Sequence, residues 1–413
     1  MLKYFKSNNL LILFACAIPI ALVAGAAVLE FFIFLSCLVF FYHNFKKKGL
    51  DYYKNFFFIM FFVFCIFLIF GSFSSENIFN SLRNSIFYIR FGVFTIIIWY
   101  LLDCYEKFKY FFFISTTFIL ICVALYSFLQ LFILHNYDDG YRISGLFGSE
   151  SVQGSFLLRI TPIYIITYLY NKKYLNNIYN YTFFSVLFLN FILIILSGER
   201  AAIFLMFVAI FFSFIFLKIG LKKIFYYSFC IFLIFSLTII IYPKAKERIL
   251  ITTYKQFFDK TNEKKTTYLF SEGHQNHFES AIVMFKQYYV KGVGVRNFRT
   301  ECNKDHYKNI GTYHCSTHPH NTYLQLLSET GIIGMSFFIL FLIFILKKAY
   351  TFLRDIYRED KKTNLPLGLC FVIIFTNFFP FVTTGSFFNN WLSVFYFLPV
   401  SFLLHELYHK KNK

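Results

Sequence analysis

The chain has 413 residues, of which 58% are hydrophobic and 15% are charged, and its formal net charge is +19. Because the apolar residues fall in runs of about 17–25, which is the length that crosses a bilayer, the composition excludes an ordinary soluble globular protein. A strongly positive net charge is typical of proteins that bind nucleic acid. Here the basic residues lie mostly in short loops beside the apolar runs, where they set membrane orientation, so we exclude nucleic acid as a partner and expect the lipid bilayer instead.

Twelve apolar runs predict about twelve membrane-spanning helices, so the expected fold class is an all-α polytopic membrane protein. The first run follows Lys3 and Lys6 but continues past Leu29 and Glu30 into the second run. This continuity indicates an uncleaved helical hairpin rather than a signal peptide. The predicted spans are 9–26, 28–43, 55–72, 84–102, 110–134, 153–170, 181–198, 200–217, 224–242, 322–346, 364–381 and 386–406.

The basic residues fall unevenly on the two sides of this arrangement. When the N-terminus is placed in the cytoplasm, the short outer loops keep only Arg83, Arg142 and Arg200. The positive-inside rule therefore predicts that both termini are cytoplasmic. The predicted cytoplasmic set is Lys46, Lys47, Lys48, Lys54, Lys107, Lys109, Lys172, Lys173, Lys218, Lys222, Lys223, Lys347, Lys348, Arg354, Arg358, Lys361, Lys362, Lys410, Lys411 and Lys413.

One connection, Pro243 to Asn321, is long, and it carries six of the ten histidines. It lies between the ninth and tenth predicted helices on the outer side, which is the periplasm in a bacterium. Its residues 274–290 have helical apolar spacing, so we expect a helix along the membrane surface, and Gly292 and Gly294 predict a turn back toward the bundle. The expected domains are 1–140 (helices one to five), 141–242 (helices six to nine with an outer arginine turn), 243–321 (the periplasmic loop domain) and 322–413 (helices ten to twelve).

Cys302 and Cys315 differ from the other seven cysteines, which lie in or beside apolar runs, because both belong to the outer loop. In an oxidising compartment such a pair favours a disulfide. The alternative is a zinc site, since His306 and His318 give C-x3-H and C-x2-H spacings with these cysteines.

The polar cluster of His318, His320 and Asn321 runs directly into an apolar helical pattern. Asn321 is a good N-cap, and a helix N-terminus favours an anion beside the two imidazoles. We therefore expect the chemistry here.

Charges inside or at the ends of spanning helices are costly, so each is a candidate for function. Arg90 and Arg159 lie inside predicted spans, and Glu199 and Arg200 lie in the turn between the seventh and eighth helices, on the same side as the histidines. For Arg90 the alternative is a structural ion pair or a snorkelling arginine.

A third outer segment, residues 141–154, combines glycines with Arg142 and Glu150. Glycine-rich backbone beside an arginine can bind a phosphate through its N–H groups. The alternative is that the same residues form only a turn at the membrane interface.

Three of these segments together resemble the O-antigen ligase and O-antigen polymerase superfamily. They are SGERAA at 197–202, GVGVRNF at 292–298 and HPHNTYLQLLSETGIIG at 318–334, and the similarity extends over 141–335. The resemblance implies an inverting, metal-independent and cofactor-free glycosyltransferase at the outer face of a bacterial inner membrane. Its implied donor is an undecaprenyl-diphosphate-linked glycan, and its implied acceptor is the lipid A core for a ligase or a second lipid-linked glycan for a polymerase.

The resemblance also implies roles for individual residues. Arg200 is expected to engage the donor diphosphate, which suits the forked guanidinium, and His320 is expected to be the general base on the acceptor hydroxyl. His274 and His277 stand where ligases often have a second arginine. The remaining substrate-binding candidates are His318, Asn321, Arg296, Arg299, Arg142, Arg159, Glu150 and Glu199.

Other classes of protein make different demands on the sequence. A flippase or transporter of lipid-linked glycans favours ionisable residues near the midplane, internal repeats and short loops on both sides, whereas this sequence has no internal repeat and its long loop has no counterpart in the first half. A purely structural subunit would not need six histidines in one loop. A relative that glycosylates protein hydroxyls needs a partner site that nothing in the sequence indicates. Ligase and polymerase stay undecided, because they share the donor chemistry.

Overall fold

The computed structural model describes residues 7–44, 52–134, 142–148, 150–258 and 270–408, and all regular secondary structure in these ranges is helical. The expected all-α fold is therefore confirmed. Several positions used above lie outside the described residues. They are Lys3, Lys6, Lys46, Lys47, Lys48, Tyr141, Lys410, Lys411, Lys413 and part of the predicted outer loop, 259–269.

The helices follow one another with short connections. The first nine are α1 (Ser7–Ala24), α2 (Ala26–Asn44), α3 (Phe56–Ser72), α4 (Ile78–Cys104), α5 (Glu106–Leu129, followed by a π-helical turn Gln130–Leu134), α6 (Gln153–Asn171), α7 (Asn177–Leu196), α8 (Arg200–Phe216) and α9 (Leu221–Ile241). The others are α10 (Pro243–Lys246, then a π-helical turn Glu247–Ile251), α11 (Thr252–Phe258), α12 (Glu272–Gln287), α13 (Phe298–Glu301), α14 (Thr322–Tyr357), α15 (Leu365–Asn377) and α16 (Asn390–Tyr408).

Among the described helices, six are long and apolar enough to cross a membrane, namely α4, α5 with its π-helical turn, α7, α9, α14 and α16. The shorter apolar helices are α1, α2, α3, α8 and α15. The protein is thus a multi-pass membrane protein. Each of the twelve predicted spans overlaps one of these helices or α6, while the number of crossings and the cytoplasmic location of the termini stay predictions.

Asparagine side chains begin several helices, because their oxygen accepts backbone N–H groups that have no partner within the helix. Asn55 caps α3, Asn176 caps α7 and Asn364 caps α15 in this way. Asn77 caps α4, so that helix begins six residues before the predicted start at 84. Residues 378–389 form a loop between α15 and α16, which shortens both of those spans relative to the prediction.

The first two helices, α1 and α2, form the predicted helical hairpin. Gly25, with φ 118°, joins α1 to α2, and the two helices pack along each other. Arg90 in α4 lies 2.8 Å from Glu30 in α2, measured between Nε and Oε2. This contact is the structural ion pair that was the alternative to a functional Arg90.

The helix α14 is broken near its outer end. Asn321 caps it by accepting from the backbone N–H groups of Tyr323 and Leu324, which confirms the predicted N-cap. The backbone then leaves the helical conformation at Gly331 (φ 63°, ψ −166°), and the helix continues to Tyr357. The predicted single span at 322–346 is therefore wrong at this point, since two helical pieces meet at a glycine.

The break exists because the outer loop packs into it. Backbone hydrogen bonds run from Val293 N to Ser328 O (3.0 Å), from Gly294 N to Glu329 O (2.9 Å) and from Ile332 N to Tyr289 O (2.8 Å). A Cβ on Gly331 would lie 2.3 Å from the carbonyl oxygen of Val290, and one on Gly292 would lie 2.3 Å from the carbonyl carbon of Glu329. The two glycines thus let two stretches of backbone meet directly, and the predicted glycine turn leads into the bundle.

The outer loop has a small hydrophobic core of its own. Its buried members are Ala281, Met284, Val293, Phe298, Cys302 and Tyr307. The helix predicted at 274–290 is present as α12, which packs on α14.

Candidate active site

Four histidines from two segments form one cluster. Successive turns of α12 present His274 and His277, and the loop before α14 presents His318 and His320. The ring centroid of His320 lies 4.0 Å from that of His318, 5.1 Å from that of His274 and 5.3 Å from that of His277. The structure therefore brings together all four imidazoles that the sequence singled out.

The backbone of His320 is fixed on both sides. Its φ is 56°, a left-handed conformation that is uncommon outside glycine, and its carbonyl accepts from the Thr384 N–H at 2.8 Å. The amide of the adjacent Asn321 donates to the Pro380 carbonyl at 2.8 Å. Asn321 thus uses both ends of its side chain to hold the loop 378–389 against the start of α14.

The His320 ring is left available by this arrangement. Within the described part of the chain, neither of its ring nitrogens has a hydrogen-bond partner, whereas His274 Nδ1 lies 2.5 Å from Ser271 Oγ and His318 Nδ1 lies 2.9 Å from Thr317 Oγ1. A ring that is positioned by backbone contacts and free at both nitrogens can accept a proton from a bound hydroxyl.

The imidazoles are neutral at physiological pH. Burial, followed by repulsion from the other imidazoles, lowers the pKa of His320 to about 3. Burial is also the first cause that lowers the pKa of His274 and of His318 to about 4. A nearby anion would raise these pKa values again, because it stabilises the protonated ring.

Arg200 is the first residue of α8 and faces α11. Its Nη1 donates to Gln256 Oε1 at 2.8 Å and to Thr253 Oγ1 at 3.3 Å. Arg200 and His274 both line an open cavity of about 430 Å³, together with Ser271. Since the His274 ring also contacts His320, Arg200 and the histidine cluster lie at one site.

Arg142 is held beside Arg200 by the backbone. The N–H of the next residue, Ile143, donates to the Ser197 carbonyl at 3.2 Å, which ties the Arg142 segment to the turn before α8. The two guanidinium groups are close enough to repel each other. Two adjacent guanidinium groups suit a dianionic group such as a diphosphate.

Glu199 and Arg159 do not line this cavity in the described part of the chain. The Glu199 carboxylate accepts the backbone N–H groups of Gly154 and Ser155 and so caps α6. Arg159 is buried one turn deeper in α6, and its Nη1 donates to the Ser155 carbonyl at 3.2 Å. Both residues therefore support the outer end of α6 rather than the surface of the cavity.

Arg296 and Glu150 also lie apart from the cluster. Arg296 Nη2 donates to the Phe388 carbonyl at 2.7 Å, and its charge acts on the buried Glu329. Glu150 is exposed in the turn before α6. Arg299, by contrast, is close enough to the cluster that its charge lowers the pKa of His318.

The cysteine pair of the outer loop is a disulfide. Cys302 and Cys315 are bonded, with their Cα atoms 5.1 Å apart, which confirms the predicted bridge. The zinc alternative is wrong, because bonded sulfurs are not thiolate ligands. The backbone of Cys315 lies close enough to the His277 ring to act on its pKa, so the bridge lies beside a member of the cluster.

Sequence reasoning missed several residues of the site. Thr253 and Gln256 hold Arg200 from a helix that the sequence analysis did not predict, although their spacing of three places both on one helical face. Glu329 belongs to the sequence motif at 318–334, but the sequence analysis assigned it no role. It is buried and accepts from Gln325 Nε2 at 3.0 Å and from Phe298 N at 3.3 Å, so it holds the outer loop to α14.

The fold and the site define a class of protein, namely a multi-pass membrane protein in which an outer loop brings histidines to an arginine at the start of the apolar helix α8. Residues 185–339 match the model of the family described as O-Antigen ligase. This part of the chain is therefore similar to O-antigen ligases, which confirms over these residues the resemblance found in the sequence. The family transfers glycans in the manner of O-antigen ligases and polymerases, and lipid-linked glycans are its substrates. The chain has no significant match among curated proteins.

Proposed function

We propose that the protein moves a glycan from an undecaprenyl-diphosphate carrier to the lipid A core, at the periplasmic face of a bacterial inner membrane. The observation that carries this proposal is the meeting of Arg200 and a neutral histidine cluster at one cavity. The lipid A core is the acceptor of a ligase, which is the reaction that the family description names, and a second lipid-linked glycan is the acceptor of the alternative, a polymerase.

The positive charges bind the leaving group in this mechanism. Arg200 and Arg142 hold the diphosphate of the donor, and Arg299 adds a further positive charge near His318. Negative charge develops on the diphosphate as its bond to the sugar breaks, and fixed guanidinium groups stabilise that charge. The mechanism therefore has no step that requires a metal ion.

His320 acts on the acceptor. Its neutral ring takes the proton of an acceptor hydroxyl while the oxygen of that hydroxyl attacks the anomeric carbon. A new C–O bond forms, the bond from carbon to the diphosphate oxygen breaks, and undecaprenyl diphosphate leaves. Because attack and departure take place on opposite faces of the sugar, the anomeric configuration inverts.

Reconstitution with defined acceptors tests the proposal. Purified protein in lipid nanodiscs is given an undecaprenyl-diphosphate-linked glycan together with either lipid A core or a second lipid-linked glycan. We expect transfer to the lipid A core, and none from His320→Ala protein that inserts normally. Polymer formed on the carrier alone would make the protein a polymerase. Movement of the donor across the bilayer without any transfer would make it a flippase.

A further inference from the structure

The helix α9 stands apart from its sequence neighbour α8. Ile239 is the buried residue of α9, whereas Phe225 and Phe232 are 77% and 67% exposed. The helix packs mainly on α7 and on the short α10 that follows it. Between α8 and α9 this leaves a seam that is bridged by side chains rather than closed by backbone packing.

Two cavities lie along this seam and share part of their walls. The outer one is the cavity of Arg200 and His274, and the inner one, of about 250 Å³, is lined by Ile210, Phe214, Ser228 and Ile231 among others. Phe207 of α8 and Phe235 of α9 line both cavities, with their ring centroids 5.6 Å apart. The seam is therefore continuous with the cavity of the proposed active site.

The length and chemistry of the seam can be compared with the membrane. From Arg200 to Phe214 the helix rises about 20 Å at roughly 1.5 Å per residue. One leaflet of a bilayer has a hydrocarbon depth of about 15 Å. Ser228 is the one polar residue among the described side chains that line the inner cavity, and the rest are aromatic or aliphatic. The seam is thus apolar across a full leaflet and cationic at its outer end.

We propose that the seam between α8 and α9 binds the isoprenoid chain of the lipid carrier while Arg200 holds its diphosphate. This assignment rests on the proposed function. A phospholipid could fill an apolar groove anywhere on the protein, but this groove opens into the cavity where the diphosphate is bound. A ligand with an anionic head at Arg200 and a long methyl-branched chain satisfies both ends, and the Phe207–Phe235 pair contacts the first isoprene units.

A matched pair of substitutions on α9 tests the assignment. Ile231 lines the seam, whereas Leu233 is 47% exposed and does not line it, so Ile231→Trp fills the seam and Leu233→Trp does not. Each variant is assayed with two donors that carry the same glycan diphosphate on either the full undecaprenyl chain or a ten-carbon chain. We expect Ile231→Trp to raise the KM for the long-chain donor about tenfold, because the indole occupies the volume of the chain and removes its packing contacts with the seam. The KM for the short-chain donor stays unchanged, as do both KM values of Leu233→Trp.

An equal rise in KM for both donors, or an equal effect of the two variants, would overturn the assignment. Photo-crosslinking gives a second measurement that does not depend on turnover. A benzophenone amino acid placed at 231 is expected to capture radiolabelled undecaprenyl diphosphate, and the same group at 233 is not. Absence of transfer by the wild-type protein from either donor would instead refute the proposed function, and the crosslinks would then decide the binding site on their own.

Discussion

The guanidinium of Arg200 is oriented by its neighbours in a way that suits the proposed binding of a diphosphate. Gln256 and Thr253 orient it from α11, and Arg142 adds a second positive charge beside it. The planar fork of arginine can bind two phosphate oxygens at once, which an ammonium group cannot do. The role of this residue therefore depends on its shape as well as on its charge.

Arg200→Lys keeps the charge and removes the fork. We expect kcat/KM for glycan transfer to fall about 100-fold, the range seen when one preorganised donor to a developing anion is removed. Arg354→Lys is the control, since Arg354 is exposed in the last turn of α14 and far along the chain from the cavity. Equal kcat/KM for wild-type and Arg200→Lys protein would show that the fork is not used.

The pH dependence of transfer reports the state of His320. Its pKa in the free protein is lowered to about 3, mainly by burial, so its neutral form persists well below the usual histidine range near 6.5. We expect kcat/KM to stay flat through pH 6.5 and to fall only as the pH approaches that low value. The acid limb of kcat should lie at higher pH, because the bound diphosphate raises the pKa of the ring. A midpoint of kcat/KM at pH 6.5 or above would contradict this assignment of the base.

At the scale of the elements, the break in α14 joins the outer loop to the membrane bundle. Gly331 has a positive φ, and Gly292 lies against it with backbone contacts on both sides. The buried Glu329 accepts the Phe298 N–H across the same junction. The short helix that carries Asn321 at its start is thereby held at both ends, which positions His320.

Gly331→Ala tests this junction. The new Cβ would overlap the Val290 carbonyl, and alanine disfavours the left-handed conformation by roughly 1–2 kcal/mol. We expect the free energy of unfolding to fall by more than about 2 kcal/mol, measured by thermal unfolding in detergent, together with a loss of transfer. Gly71→Ala in α3 is the control, because nothing lies within 4 Å of its Cβ position. A wild-type unfolding temperature for Gly331→Ala would argue against the junction.

The disulfide acts on the same loop. Removing it with Cys302→Ser and Cys315→Ser releases a loop of 13 residues, which is expected to lower the stability of the outer loop by about 3 kcal/mol. Because the backbone of Cys315 lies beside the His277 ring, movement of this loop should disturb the cluster, and kcat should fall as well. Cys230→Ser, at a free cysteine in α9, serves as the control. If the double variant keeps wild-type stability and kcat, the bridge is dispensable for the site.

At the scale of the whole molecule, sequence patterns predicted the local features. Apolar runs located the helices because the bilayer sets their length, and Asn321 was recognised as an N-cap because capping depends on neighbouring residues. His318 and His320 were singled out by the polar cluster before an apolar helical pattern, and His274 and His277 by the resemblance to ligases, but the distances between the four rings could not be predicted. These features need no knowledge of distant contacts.

Features that depend on long-range packing could not be predicted. The break at Gly331 requires the turn at Gly292 to pack against it, some forty residues away in sequence. The cap that Glu199 places on α6 joins two helices, so Glu199 looked from the sequence like a ligand of the substrate. Arg296 likewise turns toward the Phe388 carbonyl, a contact that no local pattern indicates.

The orientation of the whole chain is a separate prediction. The distribution of Lys and Arg places both termini in the cytoplasm. Fusion of a fluorescent protein to the C-terminus should give a bright product, and fusion of alkaline phosphatase there should give an inactive one. Active phosphatase at that position would reverse the assignment of the faces.

The close approach of four imidazoles limits the number of protons that the histidine cluster can bind at once. Each ring, once charged, disfavours charge on the next, so the group holds one proton far more readily than two. In the proposed mechanism, a proton collected by His320 is therefore passed on before another hydroxyl is activated, and His274, which contacts His320 and borders the open cavity, offers a route for that proton. The proposed mechanism thus links each turnover to one deprotonation of the histidine cluster.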